Sequence, residues 1–196
     1  MRRVFIASGI LVGLLWTSPV FAQSKAKAQN VPEIAFDSVP NFLKFPPNLY
    51  LGEGIGVATN SKGHVFVYTR SGDTRLFEFD QHGVFVREIG AGLYGFTFAH
   101  AVRVDKDDNI WAVDEGSNMV IKFNPEGKVL MLIGRRPESV EGLEAEAAGA
   151  PTPAAQQYTL GRPTDIGWDA QGNIFISDGY TNSRVVKYDK FGKFVK

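Results

Sequence analysis

Residues 165–188 read DIGWDAQGNIFISDGYTNSRVVKY, and this stretch decides the fold. A short alternating segment is followed by a polar turn at residues 169–173 and by an apolar strand at 174–177. After a second polar loop comes a third strand, which ends in the aromatic residue Tyr188. Alternation with a period of two, interrupted by Gly, Asn and Asp, is typical of short antiparallel strands joined by tight turns.

The same pattern occurs twice more in the chain. Residues 56–90 read GVATNSKGHVFVYTRSGDTRLFEFDQHGVFVREIG, and residues 101–134 read AVRVDKDDNIWAVDEGSNMVIKFNPEGKVLMLIG. Four strands repeated every 40–50 residues or so indicate the blades of a β-propeller. The third repeat starts late, and residues 137–157, rich in Ala, Glu and Pro, are predicted to be an insertion between blades. Because a propeller closes with roughly four to eight blades, residues 54–196 are predicted to form an all-β, partial propeller of about three blades.

The composition excludes several classes of protein. The 21 Lys and Arg residues balance 21 Asp and Glu residues, so the chain lacks the positive surplus that nucleic-acid binding requires. With 44% hydrophobic residues the chain can bury a core, which argues against disorder. The absence of Cys excludes disulfides, thiolate metal sites and cysteine nucleophiles. We therefore expect no nucleic-acid partner.

The N-terminus resembles a secretory signal peptide over residues 1–22. Basic residues at positions 2 and 3 precede an apolar run at 4–16, and small residues precede a cleavage site after position 22. An uncleaved anchor is the alternative, although the run is short for a membrane span. Residues 23–53 are predicted to be an extended leader, because their prolines oppose a helix. The sequence thus predicts a secreted or periplasmic protein, with no membrane attachment after cleavage.

Three side chains near the ends of predicted strands are candidates for a catalytic or metal-binding role. His100 opens the second repeat and can ligate a metal ion through a neutral ring nitrogen; a structural, hydrogen-bonded histidine is the alternative. Arg70 follows a second strand and suits a carboxylate or an oxyanion; an ion pair with Asp73 or Glu115 is the alternative. Tyr180 follows a second strand and can act as a base; packing on the neighbouring blade is the alternative.

Two polar pairs recur in the loops after the second strands. Asp114 and Asn118 of the second repeat correspond to Asp178 and Asn182 of the third. Side chains of this type bond to nearby backbone groups in turns. They are predicted to fix the loops rather than to take part in chemistry.

The segment DGYTNSRVV, at residues 178–186, resembles the peptidyl-α-hydroxyglycine α-amidating lyases, which carry a closely similar DGY-x-NSR segment. The PTD segment at 163–165 also matches that family, and the likeness covers roughly residues 54–196. The resemblance implies a six-bladed propeller of NHL repeats. It also implies a small-molecule or peptide substrate and a carbon–nitrogen lyase that cleaves a peptidyl-α-hydroxyglycine to an amide and glyoxylate with the help of zinc.

The same resemblance implies roles for individual residues. Arg70 falls on the family's catalytic arginine, and Tyr180 falls on the tyrosine that serves as base. His100 falls on the first of three zinc-binding histidines. The backbone carbonyls of Val57 and Val102 fall where a structural calcium ion is partly held.

The sequence also departs from the family. Alanines flank His100 in place of Pro and Gly, and Gly161 and Thr181 stand where a member of the family has disulfide-bonded cysteines. The other two zinc histidines belong to later blades, whereas catalytic zinc needs three protein ligands. The chain as given is therefore predicted to lack a complete site. Two other functions remain open: a non-enzymatic NHL propeller that binds a peptide, glycan or protein, and a calcium-dependent lactonase-like propeller.

Overall fold

The computed structural model describes residue 32, residues 34–136 and residues 156–196. The predicted signal peptide and most of the predicted insertion, up to residue 155, lie outside the described residues. Val39–Lys196 form one compact unit, and the described residues before it are exposed and without regular structure. Within the described ranges, no helix is long and apolar enough to cross a membrane.

The described residues form eleven strands in three antiparallel sheets. The first sheet contains, in order, β1 (Gly54–Thr59), β2 (Val65–Thr69), β3 (Arg75–Phe79) and β4 (Phe85–Ile89). The second contains β5 (Ala99–Val104), β6 (Ile110–Asp114), β7 (Met119–Phe123) and β8 (Val129–Gly134). The third contains β9 (Asp165–Trp168), β10 (Ile174–Asp178) and β11 (Arg184–Tyr188). The predicted strands of the first two repeats and the first three of the third repeat are confirmed, including the aromatic residues at the ends of β3, β7 and β11. The fourth strand predicted for the third repeat is reduced, among the described residues, to an isolated bridge between Tyr188 and Phe194.

The three sheets adjoin one another through their first strands. β1 lies against β5, and β5 lies against β9. A Cβ atom on Gly56 would lie 2.8 Å from the backbone nitrogen of Val102, so β1 and β5 approach too closely there for a larger residue. Sheets that adjoin through their first strands are successive blades of a propeller. The predicted all-β, propeller-type fold is confirmed.

Alternation along the strands sends side chains into two inter-blade cores. In β2, Phe66 and Tyr68 are buried in the core shared with the second blade, whereas Val67 belongs to a cluster on the other face. Trp111 and Ile166 belong to the core between the second and third blades. Each fully buried side chain of this size contributes about 1.5–3 kcal/mol, so the blades stabilise one another through these cores.

Part of the predicted leader packs against the face of the first blade that lies away from the second. Lys44 forms a parallel bridge with Val84. The ring of Phe45 meets the rings of Phe77 and Phe79 edge-on, at centroid distances of 6.1 and 5.0 Å. Edge-to-face packing is a favoured aromatic geometry. This segment therefore covers apolar side chains of the first blade.

The turns share one hydrogen-bonded design. The side chain of Asp105 accepts hydrogen bonds from the backbone nitrogens of residues 107 and 109, and that of Asp169 accepts them from 171 and 173. Asn60, Asp80 and Asp189 form the same pair of bonds in their turns. A short polar side chain that bonds two and four residues ahead stabilises a tight reversal. This repeated turn explains the polar residues that separate the strands.

Candidate functional site

A β-bulge places His100 at the mouth of the second blade. Ala99 pairs with Asp114 and Ala101 pairs with Val113, so His100 is the extra residue between two register positions. Bulges redirect a side chain and are frequent beside active sites. His100 is therefore released from the regular alternation of β5, at the end of the blade where the loop after β6 also lies.

Tyr180 approaches His100 from the third blade. Its phenol oxygen lies 3.5 Å from Nε2 of His100, and the two ring centroids are 6.0 Å apart. This is a long hydrogen bond, in which Nε2 accepts from the phenol when the ring proton is on Nδ1. Tyr180 is 62% exposed, so the pair is open to a ligand.

The backbone around this pair is strained. Arg162, Tyr180 and Ser183 have φ angles of 59°, 23° and 49°. The other non-glycine residues with positive φ in the described part of the chain are all Asn or Asp, which adopt this region more readily. Strain of this kind costs about 1–3 kcal/mol per residue and concentrates at functional sites. The loop that carries Tyr180 is therefore held in a costly conformation.

An arginine stacks on Tyr180. The guanidinium carbon of Arg162 lies 4.8 Å from the centroid of the Tyr180 ring. Nε of Arg162 donates to Oε1 of Glu115 at 2.9 Å, and Nη2 donates to the same oxygen. The Glu115 side chain is 5% exposed, whereas that of Arg162 is 48% exposed. The pair therefore joins a buried carboxylate to the rim of the site.

Arg70 lies at the same end of the first blade. Its guanidinium carbon lies 4.3 Å from the centroid of the Phe98 ring, and Nη2 pairs with Glu53 at 3.3 Å. Its partner is thus neither Asp73 nor Glu115, which had been the alternatives. Nε of Arg70 is buried and has no hydrogen-bond partner. An unsatisfied buried donor is costly and requires an explanation.

The structure brings two of the three predicted side chains into contact. His100 and Tyr180 meet directly, and Arg70 stacks on Phe98, two residues before His100 in the chain. In the ranges that the structure describes, no hydrogen bond joins Arg70 to either of the other two. Sequence reasoning missed Arg162. Its place directly before the PTD segment was visible, but its pairing with a glutamate 47 residues away was not.

A buried carboxylate fixes the loop that carries Tyr180. Asp178 is fully buried and accepts hydrogen bonds from Nδ2 of Asn182 at 2.7 Å, Nε of Arg184 at 2.8 Å and the backbone nitrogen of Gly161 at 2.6 Å. The predicted role of Asp178 and Asn182 in the loop is confirmed.

The corresponding carboxylate of the second blade has different partners. Asp114 accepts hydrogen bonds from the Tyr68 hydroxyl at 3.0 Å and from backbone nitrogens of residues 97, 98 and 117. Burial, followed by the negative charge of Asp114, raises the pKa of Tyr68 well above its usual value. Asn118 does not bond to Asp114 but accepts a hydrogen bond from the backbone nitrogen of Arg162 at 2.8 Å. The second blade thus holds the segment that leads into the third.

The described residues do not complete a zinc site. No group of three His, Cys, Asp or Glu side chains among them is arranged to hold a metal ion. Catalytic zinc needs three protein ligands and an open position. His100 supplies at most one of them.

The predicted calcium positions are equivalent in the two blades. Val57 pairs with Val67 and Val102 pairs with Ala112, so each lies two residues after the bulged residue of its strand. Calcium takes six to eight oxygen ligands, and two carbonyl groups alone do not form such a site. Moreover, Nη1 of Arg103 lies 3.5 Å from the Val102 oxygen, so a guanidinium already occupies space beside it.

A cavity of about 600 Å³ lies at the opposite end of the blades, beside the turns that follow β5 and β9. Its lining includes Trp111 and Trp168, whose ring centroids are 5.6 Å apart, together with Lys122, Asp105 and Asp169. The indole nitrogen of Trp168 is buried without a partner. The lengths of β5 and β9 separate this cavity from His100 and Tyr180, so it is not part of their site.

Comparison with known proteins finds curated relatives but no family model. No protein-family model matches the chain. A probable peptidyl-α-hydroxyglycine α-amidating lyase of Caenorhabditis elegans is 28% identical over 176 residues, covering 77% of this chain and 45% of that protein. The peptidylglycine α-amidating monooxygenase of Rattus norvegicus is 29% identical over 174 residues, covering 84% of this chain and 16% of that protein. The chain is thus similar in sequence to the amidating lyases, at 28–29% identity. It spans less than half the length of these two relatives.

Solved structures show the same fold at lower identity. A streptogramin B lyase matches with a TM-score of 0.53 and 16% identity, over 76% of this chain and 41% of that one. Virginiamycin B lyase from Staphylococcus aureus matches with a TM-score of 0.51 and 14% identity, over 76% of this chain and 41% of that one. These likenesses support the propeller fold alone.

The amidating-lyase resemblance also named Gly161 and Thr181 as the positions of a disulfide. The backbone nitrogen of Thr181 donates to the oxygen of Gly161 at 3.3 Å, so the two positions are neighbours. A Cβ atom on Gly161 would lie 2.8 Å from the side-chain amide of Asn182. In this chain the side-chain amide of Asn182 therefore fills the space beside Gly161.

Proposed function

We propose that this chain supplies part of the active site of a lyase that cleaves the N–C bond of a peptidyl-α-hydroxyglycine-type carbinolamide, giving an amide and glyoxylate. The observation that carries the proposal is the contact of Tyr180 with His100 at a strained loop. The amidating lyases among the curated relatives support the reaction class.

Tyr180 is proposed as the base. As the phenolate it removes the proton from the substrate hydroxyl, the oxygen forms the carbonyl of glyoxylate, and the C–N bond breaks. The proton then passes from Tyr180 to the departing amide nitrogen, which balances the reaction and restores the phenolate. The open position of the ring suits this role, since the residue is 62% exposed.

Arg70 is proposed to bind the substrate carboxylate. Its planar guanidinium is suited to two carboxylate oxygens, which would be met by the terminal nitrogens of the 22% exposed side chain, since Nε itself is buried. Stacking on the Phe98 ring favours one orientation of the Arg70 guanidinium plane. Since Glu53 is more than half exposed, its pairing with Arg70 is weak enough for a carboxylate ligand to compete.

His100 is proposed to contribute one ligand to a zinc ion whose remaining ligands come from outside the described residues. Zinc, when bound, supplies polarisation of the substrate oxygen. The carbonyl groups of Val57 and Val102 are likewise proposed to contribute to a calcium site whose remaining ligands come from outside the described residues. We further propose secretion or periplasmic location, through the signal peptide at residues 1–22.

Glyoxylate release from an α-hydroxyglycine peptide tests the function. The protein, in the longest form that its gene encodes, is assayed with and without added zinc, beside Tyr180→Phe and Tyr50→Phe. Tyr50 is 82% exposed and serves as the matched control. We expect Tyr180→Phe to lower kcat about 100-fold or more and Tyr50→Phe to leave it unchanged. Equal rates in the two variants contradict the proposal, and absence of release in all forms favours a binding propeller.

A further inference from the structure

The Tyr180 ring is not fixed by burial. It is 62% exposed and stands on a backbone with φ of 23°. An exposed side chain on a strained loop has several rotamers within reach. A base needs one of them, because displacement by about 1 Å can cost about 100-fold in rate. Some other contact must therefore select the observed orientation.

Among the described residues, two side chains make hydrogen-bond or stacking contacts with the ring, and both come from outside the third blade's strands. His100 of β5 meets it at 3.5 Å through Nε2, a long and weak hydrogen bond. Arg162, in the segment between the blades, stacks its guanidinium carbon 4.8 Å from the ring centroid. A cation over an aromatic face contributes about 0.5–1 kcal/mol when exposed and more when desolvated. The stacked arginine is thus the stronger of the two constraints.

Arg162 is itself held at three points. Nε and Nη2 both donate to Oε1 of Glu115, and the backbone nitrogen donates to Oδ1 of Asn118 at 2.8 Å. Since the Glu115 side chain is 5% exposed, its charge must be compensated where it lies. The planar guanidinium therefore has little freedom to leave the Tyr180 ring.

We propose that Glu115 and Arg162 are positioning residues that hold the Tyr180 ring against His100, so that the second blade sets the geometry of the base carried by the third. The kinetic consequence rests on the proposed function, whereas the structural consequence does not. An ordinary structural ion pair would leave the ring unaffected when it is removed.

The structural arm uses ¹⁹F NMR of the protein labelled with 3-fluorotyrosine. Tyr180→Phe identifies the Tyr180 resonance by its loss. In Arg162→Gln and Glu115→Gln we expect this resonance to move towards that of the exposed Tyr50, with the other tyrosine resonances unchanged. Arg75→Gln is the matched control, because Arg75 also pairs with a glutamate, Glu88, and stacks on a ring, that of Phe77. A Tyr180 resonance that stays in place in both folded variants overturns the proposal.

The kinetic arm uses glyoxylate release. Arg162→Gln is expected to lower kcat about 10–100-fold with KM changed less than about 3-fold, while Arg75→Gln changes neither. In the Tyr180→Phe background, Arg162→Gln is expected to cause no further loss, because its effect passes through Tyr180. An additive loss overturns the positioning role. If the unmodified protein releases no glyoxylate, the proposed function fails and the NMR arm alone decides this inference.

Discussion

The phenol oxygen of Tyr180 lies 3.5 Å from Nε2 of His100, although 80 residues separate them in the chain. Two local features and one long-range contact produce this proximity. A bulge excludes His100 from the pairing of β5 with β6, the loop after β10 holds Tyr180 at a positive φ, and β5 lies against β9. Together these features place a phenol beside an imidazole at an open surface.

Asp114 is expected to be essential for the stability of the second blade. It is fully buried and its oxygens accept four or more hydrogen bonds. Asp114→Ala leaves those donors without partners, at about 1–3 kcal/mol for each group that water cannot reach. We expect the free energy of unfolding in urea to fall by more than about 2 kcal/mol.

Asp107→Ala is the control for this measurement, because the Asp107 side chain is 64% exposed. Its effect is expected within about 0.5 kcal/mol. Equal unfolding free energies for Asp114→Ala and Asp107→Ala would show that the bonds to Asp114 are not what holds the loop.

The fold could be predicted from sequence because its signals are local. Alternation and turn residues set each strand, and the three repeats agree with one another. The site was harder, because its partners come from different repeats. The position of Arg70 was predicted, yet its partner Glu53 lies before β1 and carries no motif. Arg162 pairs with Glu115 only because the second and third blades pack side by side. The sequence of one repeat contains no information about such a contact with the next.

The stability of the protein is expected to fall in acid partly through Asp105. Burial is the largest single influence on its pKa and raises it, but hydrogen bonds from the Trp111 indole and from Asn109 and the turn backbone outweigh burial. The pKa of Asp105 is therefore lowered in the folded protein. Its contribution is complete above about pH 4 and is lost as the pH falls through the lowered value.

Asp105→Asn removes this titration. We expect the unfolding free energy of the variant to fall less steeply between pH 5 and pH 3, measured by urea denaturation followed through tryptophan fluorescence. Asp37→Asn, at an exposed position outside the sheets, should keep the original slope. If Asp105→Asn keeps it as well, other carboxylates account for the acid sensitivity.

Arg103 is expected to oppose calcium binding at the proposed carbonyl positions. Its guanidinium lies 3.5 Å from the Val102 oxygen and pairs with Asp165 at 2.7 Å. Arg103→Ser removes a positive charge and frees the Asp165 carboxylate as an oxygen ligand. A tenfold gain in affinity adds about 1.4 kcal/mol at saturating calcium, or about 3–6 °C in Tm.

The measurement compares Tm in calcium with Tm in a chelator. We expect the difference to be larger in Arg103→Ser than in the unmodified protein, and unchanged in Lys106→Ser, whose side chain is 79% exposed in a turn. A calcium-induced shift that is the same in all three proteins removes Val102 from the proposed site.

A disulfide is expected to form between residues 161 and 181 when both are replaced by cysteine. The two backbones are joined by a hydrogen bond of 3.3 Å, which brings the positions within reach of a bridge. Closing a loop of this size stabilises a protein by about 3 kcal/mol. The gain is opposed by the Asn182 amide, which lies 2.8 Å from the Cβ position of residue 161 and must move away from Asp178.

The double variant Gly161→Cys, Thr181→Cys therefore separates two effects. In the reduced form we expect a Tm below that of the unmodified protein, because the new side chain displaces Asn182. In the oxidised form we expect a Tm above that of the reduced form by about 6–12 °C, from a stabilisation of about 3 kcal/mol. Each single variant controls for the displacement alone and should not respond to oxidant. The displaced Asn182 is common to the reduced and oxidised forms, so their difference in Tm reports the cross-link alone. If oxidation closes the bridge without raising Tm above that of the reduced form, the prediction is wrong.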